Sequence, residues 1–117
     1  MRSINDIAQD IHFTSVAKGF EVPNAENINQ KLLLAVSEIC EAQEELRDGH
    51  GLNEIYYKHT SEDLHGMVKP EGFPIELADA IIRLLHIGHA LGIDLEHVIE
   101  LKLAYNKTRP DKHGRKF

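Results

Sequence analysis

Apolar residues recur at intervals of three and four along most of the chain, and this spacing predicts four helices. Ile4, Ile7, Ala8, Ile11 and Val16 mark a first helix from about Ile4 to Lys18. Ser3 followed by Asp6 has the form of an N-terminal capping box, with Asp in place of the usual Glu, and Gly19 and Pro23 close the element. Ile28, Leu32, Ala35, Val36, Ile39 and Leu46 mark a second helix from about Asn27 to Asp48, stopped by Gly49 and Gly51. The third starts at Pro74, a favourable first-turn residue, and continues to about Leu91 before Gly92. Asp94 caps a fourth, Leu95 to about Thr108, which Pro110 ends. No strand is expected. The connection from Gly49 to Phe73 holds four glycines and Pro70. A stretch of that length without a strong period is often functional, and a short helical turn is expected near Ser61 to His65. Residues 111–117 read as a polar, basic tail. The expected fold class is all-α, a helical bundle of about four helices in a single domain over residues 1–117.

Composition narrows the function classes. With 117 residues there is no length for a second core. Such a chain buries only about 65% of its unfolded surface, so partner subunits would add usefully to its core. No apolar run reaches the roughly 18 residues of a membrane span, and the N-terminus does not read as a signal peptide. Cys40 is the only cysteine, which excludes an intrachain disulfide and a cysteine-based zinc site and fits a reducing cytoplasm. As a small apolar side chain it is expected in the core. A net charge of −6 argues against general nucleic-acid binding. The charge is uneven, because Lys107, Arg109, Lys112, Arg115 and Lys116 face only Asp111 at the C-terminal end.

The third helix, PIELADAIIRLLHIGHALG, is apolar almost all round, the signature of a rod buried on most sides. Glu76, Asp79, Arg83 and His86 interrupt it. At about 100° per residue they fall within an arc of roughly 80°. Polar groups enter an interior only when paired, hydrogen-bonded or bound to an ion. The second helix offers a counterpart: Glu38 and Glu41 stand one turn apart, and Glu45 returns to the same face. Packed antiparallel, the two helices would gather four carboxylates. Each like-charge pair at 4 Å costs on the order of 4 kcal/mol at an effective dielectric of 20, unless cations neutralise it. Oxygen ligands without His or Cys select hard cations, magnesium or manganese before zinc or copper. Magnesium usually shares its sphere with waters and substrate phosphates, so the arrangement implies a phosphate-bearing substrate.

Glu38-x-x-Glu41 followed by Glu76-Leu-Ala-Asp79 resembles the metal signature of the MazG-like, all-α nucleotide pyrophosphohydrolases. The segment Lys69-Pro-Glu-Gly-Phe-Pro, the run Lys102-Leu-Ala-Tyr-Asn106-Lys-Thr-Arg109-Pro and the ending His113-Gly-Arg-Lys are similar to that family as well, so the resemblance covers about Asn27 to Lys116. It implies a four-helix bundle holding the site, completed in a homodimer or homotetramer. It also implies magnesium-dependent cleavage of a nucleoside triphosphate to the monophosphate and pyrophosphate, with Glu38, Glu41, Glu76 and Asp79 as metal ligands and catalytic residues. His86 stands where related sequences often carry Asp or Asn.

Lys102, Asn106 and Arg109 lie at i, i+4 and i+7 on one face of the fourth helix, and cations with an amide suit triphosphate oxygens. Arg83 is read as a structural ion-pair partner of the acidic cluster. Glu45, or one of the four ligands, would accept the proton of the attacking water. His12, Phe13 and Phe20 are candidates for stacking on a base, and His113, Arg115 and Lys116 for closing over phosphates. Three alternatives stand beside this reading. A phosphoribosyl-ATP pyrophosphohydrolase shares the family's fold and chemistry. A helical oligomerisation module would explain the apolar third helix but not its acidic stripe. A di-iron bundle needs two Glu-x-x-His motifs on core helices, and Glu62/His65, in the long connection, is the only such pair.

Overall fold

The computed structural model describes residues 1–59 and 68–114, with side chains to Lys112. Among these residues are four α-helices, α1 (Ile4–Ala17), α2 (Ile28–Arg47), α3 (Phe73–Ala90) and α4 (Leu95–Thr108). The capping box is formed: the Ser3 hydroxyl accepts from the Asp6 amide at 3.0 Å, and the Asp6 carboxylate accepts from the Ser3 amide at 3.1 Å. Asp94 caps α4 by accepting from the His97 amide at 3.2 Å. The fold is predominantly helical, as the periodicity implies.

The long connection departs from expectation. It contains two short antiparallel strands, β1 (Tyr56–Lys58) and β2 (Lys69–Glu71), with Tyr56 opposite Glu71 and Lys58 opposite Lys69. Strands of three residues are too short for alternation to register in a sequence pattern. The helical turn expected near Ser61 to His65, and the Glu62/His65 pair, lie outside the described residues. The basic tail begins with a 3₁₀ turn, Asp111–Gly114. The side chain of His113, and Arg115 and Lys116, are likewise outside.

The α2–α3 pair forms the centre of the molecule and α1 packs against α3. Alanines line this seam: Ala35 and Ala42 on α2 and Ala80 on α3 are buried, with Ala8 of α1 and Ile87 completing the core. Small side chains at a helix contact let the axes approach closely, so the polar groups between them meet directly. β2 leads into α3 through Gly72, whose φ is +128°. A Cβ there would stand 2.3 Å from the Glu54 carbonyl oxygen, so only glycine fits the crossing.

Two sequence expectations are corrected by the packing. α3 is not buried on most sides of the single chain, because Leu77, Ile81, Ile82 and Leu84 are exposed while Glu76 and His86 are buried. Its polar stripe faces inward and much of its apolar surface outward. Cys40 is exposed rather than in the core, on the outer side of α2 beside the exposed Val36 and Ile39. α4 has no buried residue and meets α1 and α3 but not α2. Its attachment runs through the first turn, where the Asn5 amide donates to Glu96 and the Asn5 side chain to Asp94, both at 2.8 Å.

Candidate metal centre

Glu38 occupies the buried face of α2 between Ala35 and Ala42, opposite the first two turns of α3. Carboxylate oxygens of Glu38, Glu76 and Asp79 lie within 4.8 Å of one another. Glu41 stands one turn along α2 from Glu38, near enough to Glu38, Glu76 and Asp79 for them to act on its carboxyl. The four acids read from the two i, i+3 motifs therefore converge. Arg83 has the part expected of it, its Nε donating to Glu38 Oε1 at 2.9 Å.

One guanidinium among four carboxyls leaves strong repulsion, and the proton affinities of the acids shift in response. Burial, the hydrogen bond with Glu38 and the charges of Glu41 and Asp79 push Glu76 up to about 8. The hydrogen bond with Glu38, then burial, raises Glu41. Burial raises Asp79, with the Glu38 charge adding to it and Arg83 and Lys69 opposing. Burial also pushes Glu38 upward, but hydrogen bonds with Glu41 and Arg83 outweigh it and hold that carboxyl below its usual value. Glu38 is thus the carboxyl most favoured to ionise, while its three neighbours are shifted toward holding a proton.

The fit to a cation rests on Glu76. The residue is only 8% exposed, and its Oε2 is a buried oxygen with no hydrogen-bond partner among the described residues. Leaving such an atom unsatisfied costs about 1–3 kcal/mol. All donors are carboxylate oxygens, the set that hard divalent ions take.

A second group of acids lies against the first. Oxygens of Glu45, Glu71 and Glu76 also lie within 4.8 Å of one another. Tyr56 of β1 donates its phenol to both oxygens of Glu45, at 2.9 and 2.8 Å. That bond, with burial and the charges of Glu45 and Glu71, pushes the phenol up to about 12. His50 stacks on the Tyr56 ring with centroids 4.4 Å apart, and its Nε2 is 3.8 Å from Glu45 Oε2. Glu71 and Tyr56 are absent from the sequence-derived site. Their signal was the Pro-Glu-Gly run ahead of α3 and the paired tyrosines, neither interpretable without the strand pairing.

The remaining candidates are placed elsewhere. Lys102 and Asn106 share a face of α4 and Arg109 follows as its extended C-cap residue; Lys102 Nζ and Arg109 Cζ lie 5.0 and 5.7 Å from the Tyr105 ring centroid. Among the described residues no hydrogen bond or ion pair joins them to the carboxylates. Phe13 and Phe20 are exposed. His12 packs between His86 and His89, its Nδ1 at 3.2 Å from His86 Nε2. Burial lowers the pKa of His86, and His12, Lys31 and His89 lower it further. His86 thus belongs to a histidine contact between α1 and α3.

No family model, no curated protein and no solved structure matches this chain. No helix among the described residues is long and apolar enough to cross a membrane.

Proposed function

We propose that this protein is a magnesium-dependent nucleoside triphosphate pyrophosphohydrolase, which converts a nucleotide to its monophosphate and pyrophosphate. The observation that carries the reading is Glu76 Oε2, buried and without a hydrogen-bond partner among the described residues, beside the carboxylates of Glu38 and Asp79. Glu38, Glu41, Glu76 and Asp79 would hold magnesium, with manganese as a substitute. Bound there, the cation supplies charge neutralisation on the triphosphate and a more acidic water for in-line attack. The chain's own residues do the rest. Arg83 fixes Glu38 from the side of α3 and favours its ionised form. Glu45, held by the Tyr56 phenol, has its remaining lone pairs available to accept the proton of the attacking water. Lys102, Asn106 and Arg109 would bind phosphate oxygens from the exposed face of α4, Arg109 in bidentate fashion.

A homo-oligomer is part of the proposal. The single chain exposes 9100 Å², against roughly 6400 Å² for a compact protein of its mass. An excess of roughly 2700 Å² on each chain, about twice that for a pair, is at the upper end of what obligate homodimers bury. The exposed apolar rows of α2, α3 and α4 are the surfaces a second copy would cover, which would also bring α4 of one chain toward the helices of another. The resemblance of the acidic motifs and of the α4 run to the MazG-like family supports the same reading, and the cytoplasm is the proposed setting. The test is incubation with magnesium and a panel of standard and modified nucleoside triphosphates, followed by a pyrophosphate assay. Release from at least one of them, abolished by chelation, is expected. No release from any would refute the activity.

A further inference from the structure

α1 packs on α3 with a single buried side chain among the described residues, Ala8. Beyond that point the helix stands away from its neighbours on both sides. A cleft of about 430 Å³ lies beside Asn5, Asp6 and Gln9 and reaches His89 and Asp94. Another of about 250 Å³ lies between Asp10, Thr14 and Ser15 and Ile82 of α3. His12 makes the polar contact across this loose interface. Its Nδ1 is 3.2 Å from His86 Nε2, with ring centroids 5.3 Å apart, and the His89 ring lies 4.9 Å from its own. In such a contact one nitrogen donates and the other accepts, so it holds only while at least one ring is neutral. With both rings charged, each nitrogen is a donor and two like charges face one another in a half-buried place.

The surroundings do not relieve that repulsion. The groups that act on His86 are His12 from α1, Lys31 from α2 and His89 from its own helix, and each is a base. The acids nearby have partners of their own. Glu21 lies 3.9 Å from Lys31, and Asp10 pairs with Arg2 at 2.8 Å. Asp6 accepts from the Ser3 amide, and Asp94 from Asn5 and the His97 amide.

We propose that the His12–His86 pair is a pH-sensitive latch: α1 stays docked on α3 while the two imidazoles share a hydrogen bond, and is released when both are protonated. Asn5 leaves with α1, so Asp94 and Glu96 in the first turn of α4 lose the donors that hold them. The sign follows from burial, which lowers His86 from its ordinary 6.5, with His12, Lys31 and His89 lowering it further. The released helix therefore binds the proton more readily, and attachment weakens as pH falls below that ordinary value. Glu76, on the α2–α3 seam, acts in the opposite sense. The latch is thus read as a loss in α1 relative to α2, and it needs neither metal nor substrate.

Hydrogen–deuterium exchange of the full chain, corrected for the intrinsic rate at each pH, tests this. From pH 7.5 to about pH 5 the α1 amides should lose protection at least about tenfold relative to those of α2, the loss expected when the released helix holds a proton ten times more firmly. His12→Asn and His86→Gln keep an amide near the position of the ring nitrogen but take no proton, and each should flatten the change. Unchanged relative protection of α1 in the wild type would overturn the latch. So would a loss that persists in full in both variants, since another group would then drive it. Magnetic resonance titration of the wild-type imidazoles decides the matter even where neither variant folds: His12 and His86 both charged while α1 remains protected would also overturn it.

Discussion

A carboxyl group buried beside Glu38, Glu41 and Asp79, with one oxygen lacking a hydrogen-bond partner among the described residues, holds its proton to higher pH than an exposed one. In Glu76 that retention sets a sign for stability. The carboxyl titrates near 4.5 when unfolded and is pushed up to about 8 when folded. Between those values the folded state binds the extra proton, so stability falls as pH rises. Denaturant unfolding of metal-free protein should show a lower midpoint at pH 9 than at pH 6, and Glu76→Gln should flatten the difference. A midpoint that rises across this window would contradict the burial of Glu76. Asp79→Asn should reduce turnover by at least about a hundredfold, the upper cost of losing an outer metal partner, while leaving the far-ultraviolet circular dichroism unchanged. Wild-type-like turnover would remove Asp79 from the ligand set. At this scale the sequence was legible where helical spacing carried the message. Glu38, Glu41, Glu76 and Asp79 could be found because their three-residue intervals lie in long periodic segments. Glu71 could not, since its neighbours in space, Tyr56 and Glu45, are far away along the chain.

Among the elements, α3 shows how a strong pattern can be read correctly for its type and wrongly for its surroundings. Apolar residues nearly all round do mark a helix, as found. In one chain, however, the inward face is Glu76, Ala80, His86 and Ile87, while Leu77, Ile81 and Leu84 face outward. Periodicity reports which residues avoid water and is silent on whether the cover comes from the same chain. Helix ends were legible because Ser3, Asp94, Gly92 and Pro74 carry cap chemistry. The β1–β2 pair was not, because its strands gain their definition from Gly72 crossing Glu54 and from the Tyr56 phenol on Glu45. Gly72 is therefore the most sensitive backbone position near the site. Gly72→Ala should destabilise the protein by about 2–4 kcal/mol, combining a disfavoured φ with a backbone clash. Thermal or denaturant unfolding measures it, and a change below about 0.5 kcal/mol would show that the crossing relaxes freely.

At the scale of the whole molecule, a radius of gyration of 17.1 Å exceeds the roughly 13 Å expected of a compact chain of this length. The excess is consistent with α4 standing off the α2–α3 pair and with the exposed apolar rows. Light scattering coupled to gel filtration should find a dimer or larger species. Ile81→Glu, which sets a charge on the outward face of α3, should shift it toward monomer. A wild-type protein that is monomeric at micromolar concentration would contradict the oligomer and the proposed approach of Lys102, Asn106 and Arg109 from a second copy. Composition hinted at this much through the chain's small size, but which faces are bare became visible only in three dimensions. The central claim is the reaction itself, and ³¹P magnetic resonance of a nucleoside triphosphate turned over by the wild-type protein reads it directly. With magnesium present and not without it, equal amounts of nucleoside monophosphate and pyrophosphate are expected. An intact triphosphate across the nucleotide panel, or diphosphate with inorganic phosphate as the products, would contradict it.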